Sequence, residues 1–182
     1  MTNSIRPRPA IFIDRDGTLI EEVDFLSSID HLRLFDYTFE ALEMLKDRGY
    51  LLIVVTNQSG IGRGLFDESA INTIHDALSE ALPDKIDAFY FCPHLRDGDC
   101  DCRKPAVGMI KQALEDFHID IANSWMIGDK KIDIETGFNA GTSTALVLTG
   151  YGEEHLSYFD RMPDIVADNL LEAARDICLR ND

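Results

Sequence analysis

Asp14 and Asp16 stand two positions apart in Ala10-Ile11-Phe12-Ile13-Asp14-Arg15-Asp16-Gly17-Thr18. Two carboxylates at that spacing can divide labour: one attacks and the other shuttles a proton. A cation would hold the first one ionised. An unpaired carboxylate cannot simply continue into a core, but the C-terminal edge of a parallel sheet is where a ligand crevice forms. The same letters also occur in acidic turns and calcium loops, so the rest of the chain has to decide. Thr56 ends a second apolar run and is followed by Asn57, Gln58 and Ser59. Arg103-Lys104-Pro105 supplies cations, and Gly128-Asp129 is followed by Asp133 about one helical turn on. Acids, a hydroxyl and a cation around one crevice suit phosphoryl transfer. An acid nucleophile must be placed against an anion, and Mg²⁺ together with a lysine removes that repulsion.

A second cluster lies between these segments. Cys92-x-His94 is followed, after Leu95–Asp99, by Cys100-x-Cys102. In a cytosolic chain such clustering favours a metal over disulfides. Three thiolates and one imidazole form a complete tetrahedral set for Zn²⁺ with no open position, which is a structural rather than a catalytic site. The spacing differs from the common CxxC pair, and a metal-free reduced loop is the alternative. Cys178 stands alone in an expected C-terminal helix and suits packing.

Positioning these residues requires a particular architecture. Ala10–Ile13, Leu51–Val55, Ala88–Phe91, Ser124–Ile127, Ala145–Leu148 and Asp164–Ala167 are short apolar runs that suit buried strands. Helical periodicity covers Tyr37–Arg48, a segment from an Asp67 cap to about Leu82, Val107–Phe117, Lys131–Asn139, and a last segment to about Leu179. Gly60, Gly62 and Gly64 mark a loop that carries Arg63. Strands alternating with helices imply a doubly wound, Rossmann-like parallel sheet with helices on both faces. No linker divides the chain, so residues 1–182 are expected to form one domain. Every polar cluster follows a strand, which gathers them at one edge of the sheet.

The totals narrow the partners. The 182 residues carry 17 Lys and Arg against 33 Asp and Glu, a formal charge of −16. That balance argues against general nucleic-acid binding and against anionic membranes. It leaves room for a phosphorylated small molecule, because a metal and a few cations reverse the sign locally. Met1–Pro9 is polar and lacks the apolar core of a signal peptide. The longest apolar run, Leu51–Val55, is far too short to span a bilayer. A soluble, cytoplasmic monomer is expected.

In the order and strand context of its motifs the chain resembles the haloacid dehalogenase superfamily of phosphatases. The motifs are Asp14-Arg15-Asp16-Gly17-Thr18, Thr56, Lys104, and Gly128-Asp129 through Asp133. Within that superfamily it is most similar to the capless D-glycero-D-manno-heptose 1,7-bisphosphate 7-phosphatases and their relatives, the histidinol-phosphate phosphatases. Thr56-Asn57-Gln58-Ser59-Gly60 and the run from Cys92-Pro93-His94 to Cys100-Asp101-Cys102-Arg103-Lys104-Pro105 carry the likeness.

The resemblance implies roles. Asp14 would form an aspartyl-phosphate, and Asp16 would act as acid and then base. Mg²⁺ would sit on the Asp14 carboxylate, the Asp16 backbone carbonyl and Asp129. Thr56 and Lys104 would hold phosphoryl oxygens. Asn57, Gln58 and Ser59 would line the substrate site, with backbone donors from the Asn57–Gln58 region. Asp133 would support the metal or Lys104, and Lys130 would lie beside the metal. Zinc on Cys92, His94, Cys100 and Cys102 would fix the loop that delivers Arg103 and Lys104.

The substrate implied is the 7-phosphate of heptose bisphosphate, on the way to activated heptose for lipopolysaccharide. Arg63 in its glycine-rich segment favours it, with Arg63 and Arg103 placed to meet a sugar hydroxyl or second phosphate. The short Leu95–Asp99 loop instead matches histidinol-phosphate phosphatases, and Glu22–Phe25 matches the heptose enzymes only in part. A phospho-receiver signalling domain also combines Asp, Thr and Lys on such a sheet. Asp16 opposes it, because a second acid lets water turn the phosphoenzyme over.

Overall fold

The computed structural model describes residues 6–180. Met1–Ile5 of the polar N-terminal stretch, together with Asn181 and Asp182, lie outside the described residues. Among the described residues six strands form one wholly parallel sheet: β1 (Ala10–Ile13), β2 (Leu51–Asn57), β3 (Ala88–Cys92), β4 (Trp125–Gly128), β5 (Ser143–Val147) and β6 (Ile165–Ala167). Their order across the sheet is β3-β2-β1-β4-β5-β6. The chain therefore winds outward in one direction from β1 and in the other from β4. Among the described residues the α-helices are α1 (Thr38–Asp47), α2 (Ser59–Gly62), α3 (Glu68–Ala81), α4 (Gly108–Asp116), α5 (Lys131–Ala140), α6 (Gly152–His155) and α7 (Leu170–Arg180).

The period-two alternation of the strands divides the core. Ile11 and Ile13 of β1, with Leu52 and Val54 of β2, face a layer built with Leu42 and Leu45 of α1, Ile71 and Ile74 of α3, and Ile177 of α7. Ala10, Phe12, Ile53 and Val55 face the opposite layer, closed by Met109, Ile110 and Ala113 of α4. A strand buried on both faces has no polar side, which is why β1 is an unbroken apolar run. Among the described residues, no helix is long and apolar enough to cross a membrane.

The helix cap expected at Asp67 is present: its carboxylate accepts from the Ala70 amide at 3.2 Å, and α3 follows. β2 runs two residues beyond the expected Val55, because Thr56 and Asn57 remain in register with Phe91 and Cys92 of β3. The glycine-rich segment departs further from expectation. Instead of an open loop, Ser59–Gly62 forms a single helical turn. A Cβ on Gly60 would strike the Phe66 ring, so glycine here serves close packing. The connections after β1 and β3 contain no domain-sized insertion, and the crevice at the strand ends is capless.

Candidate active site

β1 and β4 are neighbours at the point where the winding reverses, and Ile13 is in register with Ile127. The Asp14 amide donates to the Ile127 carbonyl at 2.9 Å, so the residues following the two strands emerge side by side. A crevice at a topological switch point is the usual ligand site of such sheets. It holds a cavity of about 380 Å³ lined by Asp14, Asp16, Thr56, Gln58, Lys104 and Lys130, among others.

Asp14 is nearly buried and ion-paired: Lys104 Nζ lies 2.8 Å from its Oδ1. The same ammonium lies 2.6 Å from Asp133 Oδ1 and donates to the Val55 carbonyl at 2.8 Å. Burial alone would raise the Asp14 pKa, but Lys104 and Lys130 outweigh it and hold the carboxyl below its ordinary value. For Lys104, burial favours loss of the proton, and Asp133 and Asp14 reverse that preference. Asp14 is thus kept as an anion, the form a nucleophile needs.

Asp16 is set differently. Arg15, fully buried, grips it through Nε to Oδ2 at 3.1 Å and Nη2 to Oδ1 at 3.0 Å. Gln58 Nε2 donates to Asp16 Oδ2 at 2.9 Å and to Thr56 Oγ1 at 2.8 Å. The side chain of Gln58 therefore links the second carboxylate to the strand-end hydroxyl. Asn57 acts on another part of the site: it accepts from the Lys104 amide at 3.0 Å and donates to the Lys104 carbonyl at 3.2 Å. That pair fastens the loop bearing Lys104 to the end of β2. Ser59 lines the cavity at the start of α2.

Asp129 is fully buried between two backbones. A Cβ at Gly17 or at Gly150 would run into its carboxylate, and both glycines have positive φ, +82° and +55°. Its Oδ2 accepts from the Tyr151 amide at 2.9 Å, while Oδ1 is buried without a partner. Burial raises its pKa, Lys130 opposes this, and Asp14 and Asp133 add to it; the result is about 8. Carboxylate oxygens of Asp14, Asp129 and Asp133 all lie within 4.8 Å of one another. An orphaned buried oxygen and an excess of negative charge fit a hard divalent cation. Asp133 has both oxygens engaged, Oδ1 by Lys104 and Oδ2 by the Lys130 amide at 2.9 Å, whereas the Lys104 ammonium and the Arg15 amide both meet Asp14 at Oδ1.

The loop after β3 brings together Cys92, His94, Cys100 and Cys102, whose donor atoms also fall within 4.8 Å of one another. His94 Nδ1 lies 3.5 Å from Cys92 Sγ and 3.2 Å from Cys102 Sγ, and Cys92, Cys100 and Cys102 form no disulfide. This donor set suits zinc. Cys178 is buried against the core, away from the loop. Arg103 donates to the His94 carbonyl at 3.1 Å and lines a second cavity of about 540 Å³, which also touches Arg96 and Lys130. Arg63 lies outside both linings, with its guanidinium 5.4 Å from the centroid of the Phe25 ring.

A charged and aromatic cluster completes the cavity wall. Lys130 Nζ meets Glu22 at 2.7 Å and sits 4.8 Å from the Tyr151 ring centroid. Glu22, Tyr151 and His155 line the cavity as well. Tyr151 and His155 follow β5, so the strand-end rule that found Asp14 and Asp129 also points to them. Glu22 lies in an aperiodic loop, where only the partial likeness of Glu22–Phe25 to the heptose enzymes marks it.

The HAD-hydrolase-like family model matches residues 101–173. D-glycero-beta-D-manno-heptose-1,7-bisphosphate 7-phosphatase of Haemophilus ducreyi is 37% identical over 175 residues, covering 91% of this chain and 96% of that protein. The chain belongs to the haloacid dehalogenase-like phosphatase family. The enzyme of the same name in Escherichia coli K12 is 41% identical over 153 residues, covering 78% of this chain and 80% of its own. The crystal structure of D,D-heptose 1.7-bisphosphate phosphatase from B. bronchiseptica, complexed with magnesium and phosphate, superposes with a TM-score of 0.87. It is 32% identical, and the match covers 94% of this chain and 99% of that one. Membership in this family makes the chain a phosphoric monoester hydrolase and agrees with the six-stranded parallel sheet.

Proposed function

We propose that the chain is a single-domain, Mg²⁺-dependent phosphatase that removes the 7-phosphate of D-glycero-D-manno-heptose 1,7-bisphosphate. The observation that carries the chemistry is the contrast between the two strand-end acids. Asp14 is buried and paired with Lys104, whereas Asp16 is part-exposed and oriented by Arg15 and Gln58. Asp14 Oδ attacks phosphorus, and the ester P–O bond breaks. Asp16 delivers a proton to the departing alkoxide. Asp16 then takes a proton from water, whose oxygen attacks phosphorus and displaces the Asp14 carboxylate. Lys104 and Thr56 hold phosphoryl oxygens through this cycle. Asp14, Asp129 and the Asp16 backbone carbonyl would hold Mg²⁺, with Asp133 in support. When bound, that ion supplies charge neutralisation between carboxylate and phosphate.

The substrate rests on the relatives, whose names specify heptose bisphosphate. The magnesium and phosphate of the B. bronchiseptica complex support the cofactor. Zinc on Cys92, His94, Cys100 and Cys102 would hold the loop that carries Arg103 and Lys104. A second reading, histidinol-phosphate phosphatase, is favoured by the short Leu95–Asp99 segment. Steady-state rates on both substrates separate the two: kcat/KM on heptose bisphosphate is expected to exceed that on histidinol phosphate. The reverse order would overturn the assignment. A cytoplasmic location and a monomeric state complete the proposal.

A further inference from the structure

His155 ends α6 on the wall shared by the two cavities, and it lines both. Its Nδ1 accepts from the Lys131 amide at 2.8 Å. That amide opens α5, where backbone N–H groups lack partners within the helix. A neutral imidazole accepting at one nitrogen carries its proton on the other. The proton of His155 is thereby assigned to Nε2, which has no partner among the described residues. The ring is also held in place, edge to face against Tyr151 and Tyr158 with centroids 6.3 and 5.2 Å away. Burial lowers its pKa; Glu154 pulls it upward, and Lys130 and Lys131 pull it down.

We infer that His155 is a substrate-binding residue: its Nε2–H donates to a phosphate or hydroxyl oxygen of the sugar phosphate where the ligand crosses from the Asp14 cavity toward the Arg103 cavity. The inference rests on the sugar-phosphatase reading above. Three features separate this donor from a solvated histidine. The tautomer is set by the backbone, the ring contacts two tyrosine rings, and the residue lines both a cavity with Asp14 and Lys104 and another with Arg96 and Arg103. A donor already in position loses little freedom on binding. As a neutral group, it suits an oxygen that is not the reacting one.

Two variants separate binding from support of the helix. His155→Asn retains an acceptor near the Lys131 amide but removes the Nε2 donor. His155→Gln extends an amide toward the Nε2 position. Each is assayed on heptose bisphosphate and on an aryl phosphate, which has no remote groups. For His155→Asn, the fall in kcat/KM on the bisphosphate is expected to exceed that on the aryl ester by about five- to tenfold, the scale of one hydrogen bond. The difference should reside in KM and be partly restored in His155→Gln. Equal losses on both substrates, or none, would overturn the role given to His155. A wild-type protein that leaves heptose bisphosphate intact while cleaving the aryl ester would instead overturn the substrate reading, and this inference with it.

Discussion

Lys104 Nζ lies between Asp14 Oδ1, at 2.8 Å, and Asp133 Oδ1, at 2.6 Å. One buried ammonium thus neutralises the expected nucleophile and braces it against the first turn of α5. Removing one member of a buried ion pair leaves an uncompensated charge, at a cost of about 3–5 kcal/mol. Lys104→Met is expected to lower the unfolding free energy on that scale and to abolish turnover. Urea titration in the presence of a chelator, alongside a phosphate-release assay, checks both. A variant of unchanged stability would show that Asp14 and Asp133 are not held by this contact.

The metal loop makes a separate statement. Protein produced with ample zinc is expected to purify with about one bound zinc per chain, the capacity of a single four-donor site. Cys102→Ser should lose most of it, whereas Cys178→Ser should retain it, because Cys178 is buried among core residues far from the loop. Elemental analysis of the three proteins reads this out. Full zinc content in Cys102→Ser would exclude the proposed donor set.

Arg103 and Arg63 are expected to differ. Arg103 lines the second cavity, where a guanidinium fork suits a phosphate or sugar hydroxyls. Arg103→Ala should reduce kcat/KM on heptose bisphosphate by about 1.5–3 kcal/mol, the worth of a charge-assisted hydrogen bond. Arg63 rests on Phe25 outside both linings, so Arg63→Ala should cost less. Kinetics of the two variants on the bisphosphate and an aryl phosphate test the order. A larger loss from Arg63 would reverse it.

Much of this arrangement was legible because strand ends are conspicuous in sequence. Asp14 and Asp129 each follow an apolar run, and β1 and β4 place them together. Thr56 belongs to β2 itself, since pairing with Phe91 outlasts the apolar pattern. The helical turn at Ser59–Gly62 was hidden by its glycines, whose purpose emerges only when Phe66 is seen packed on Gly60. The Glu22–Lys130 pair joins residues 108 positions apart. No local periodicity encodes such a contact. Asn57 lines the cavity, as its place after β2 suggests, but the role of its side chain, bonding the amide and carbonyl of Lys104, shows only in the fold.

His75 provides a pH signature outside the catalytic cluster. It is 6% exposed, and its ring stacks on Phe89 with centroids 4.4 Å apart. Burial, aided by nearby Arg15, lowers its pKa from 6.5 to about 3. Between those values the unfolded chain binds a proton that the folded chain does not. The contribution of a neutral His75 is therefore fully present above about pH 6.5 and declines as pH falls, by up to about 1.4 kcal/mol per pH unit. His75→Phe should flatten the acid limb of a stability-versus-pH curve measured by urea unfolding. Parallel curves for the two proteins would show that His75 protonates alike in both states.

The central claim is that phosphate passes through Asp14. Its most direct test is single-turnover rapid quench with a phosphate-labelled aryl phosphate, whose activated leaving group departs without a proton from Asp16, using wild type, Asp16→Asn and Asp14→Asn. Asp16→Asn keeps the nucleophile but lacks the base for hydrolysis, so its turnover should fall at least about a hundredfold. Labelled phosphate should remain on the peptide containing Asp14 in Asp16→Asn and be absent from Asp14→Asn. Label on any other residue, or near-normal turnover by Asp14→Asn, would contradict the aspartyl-phosphate route.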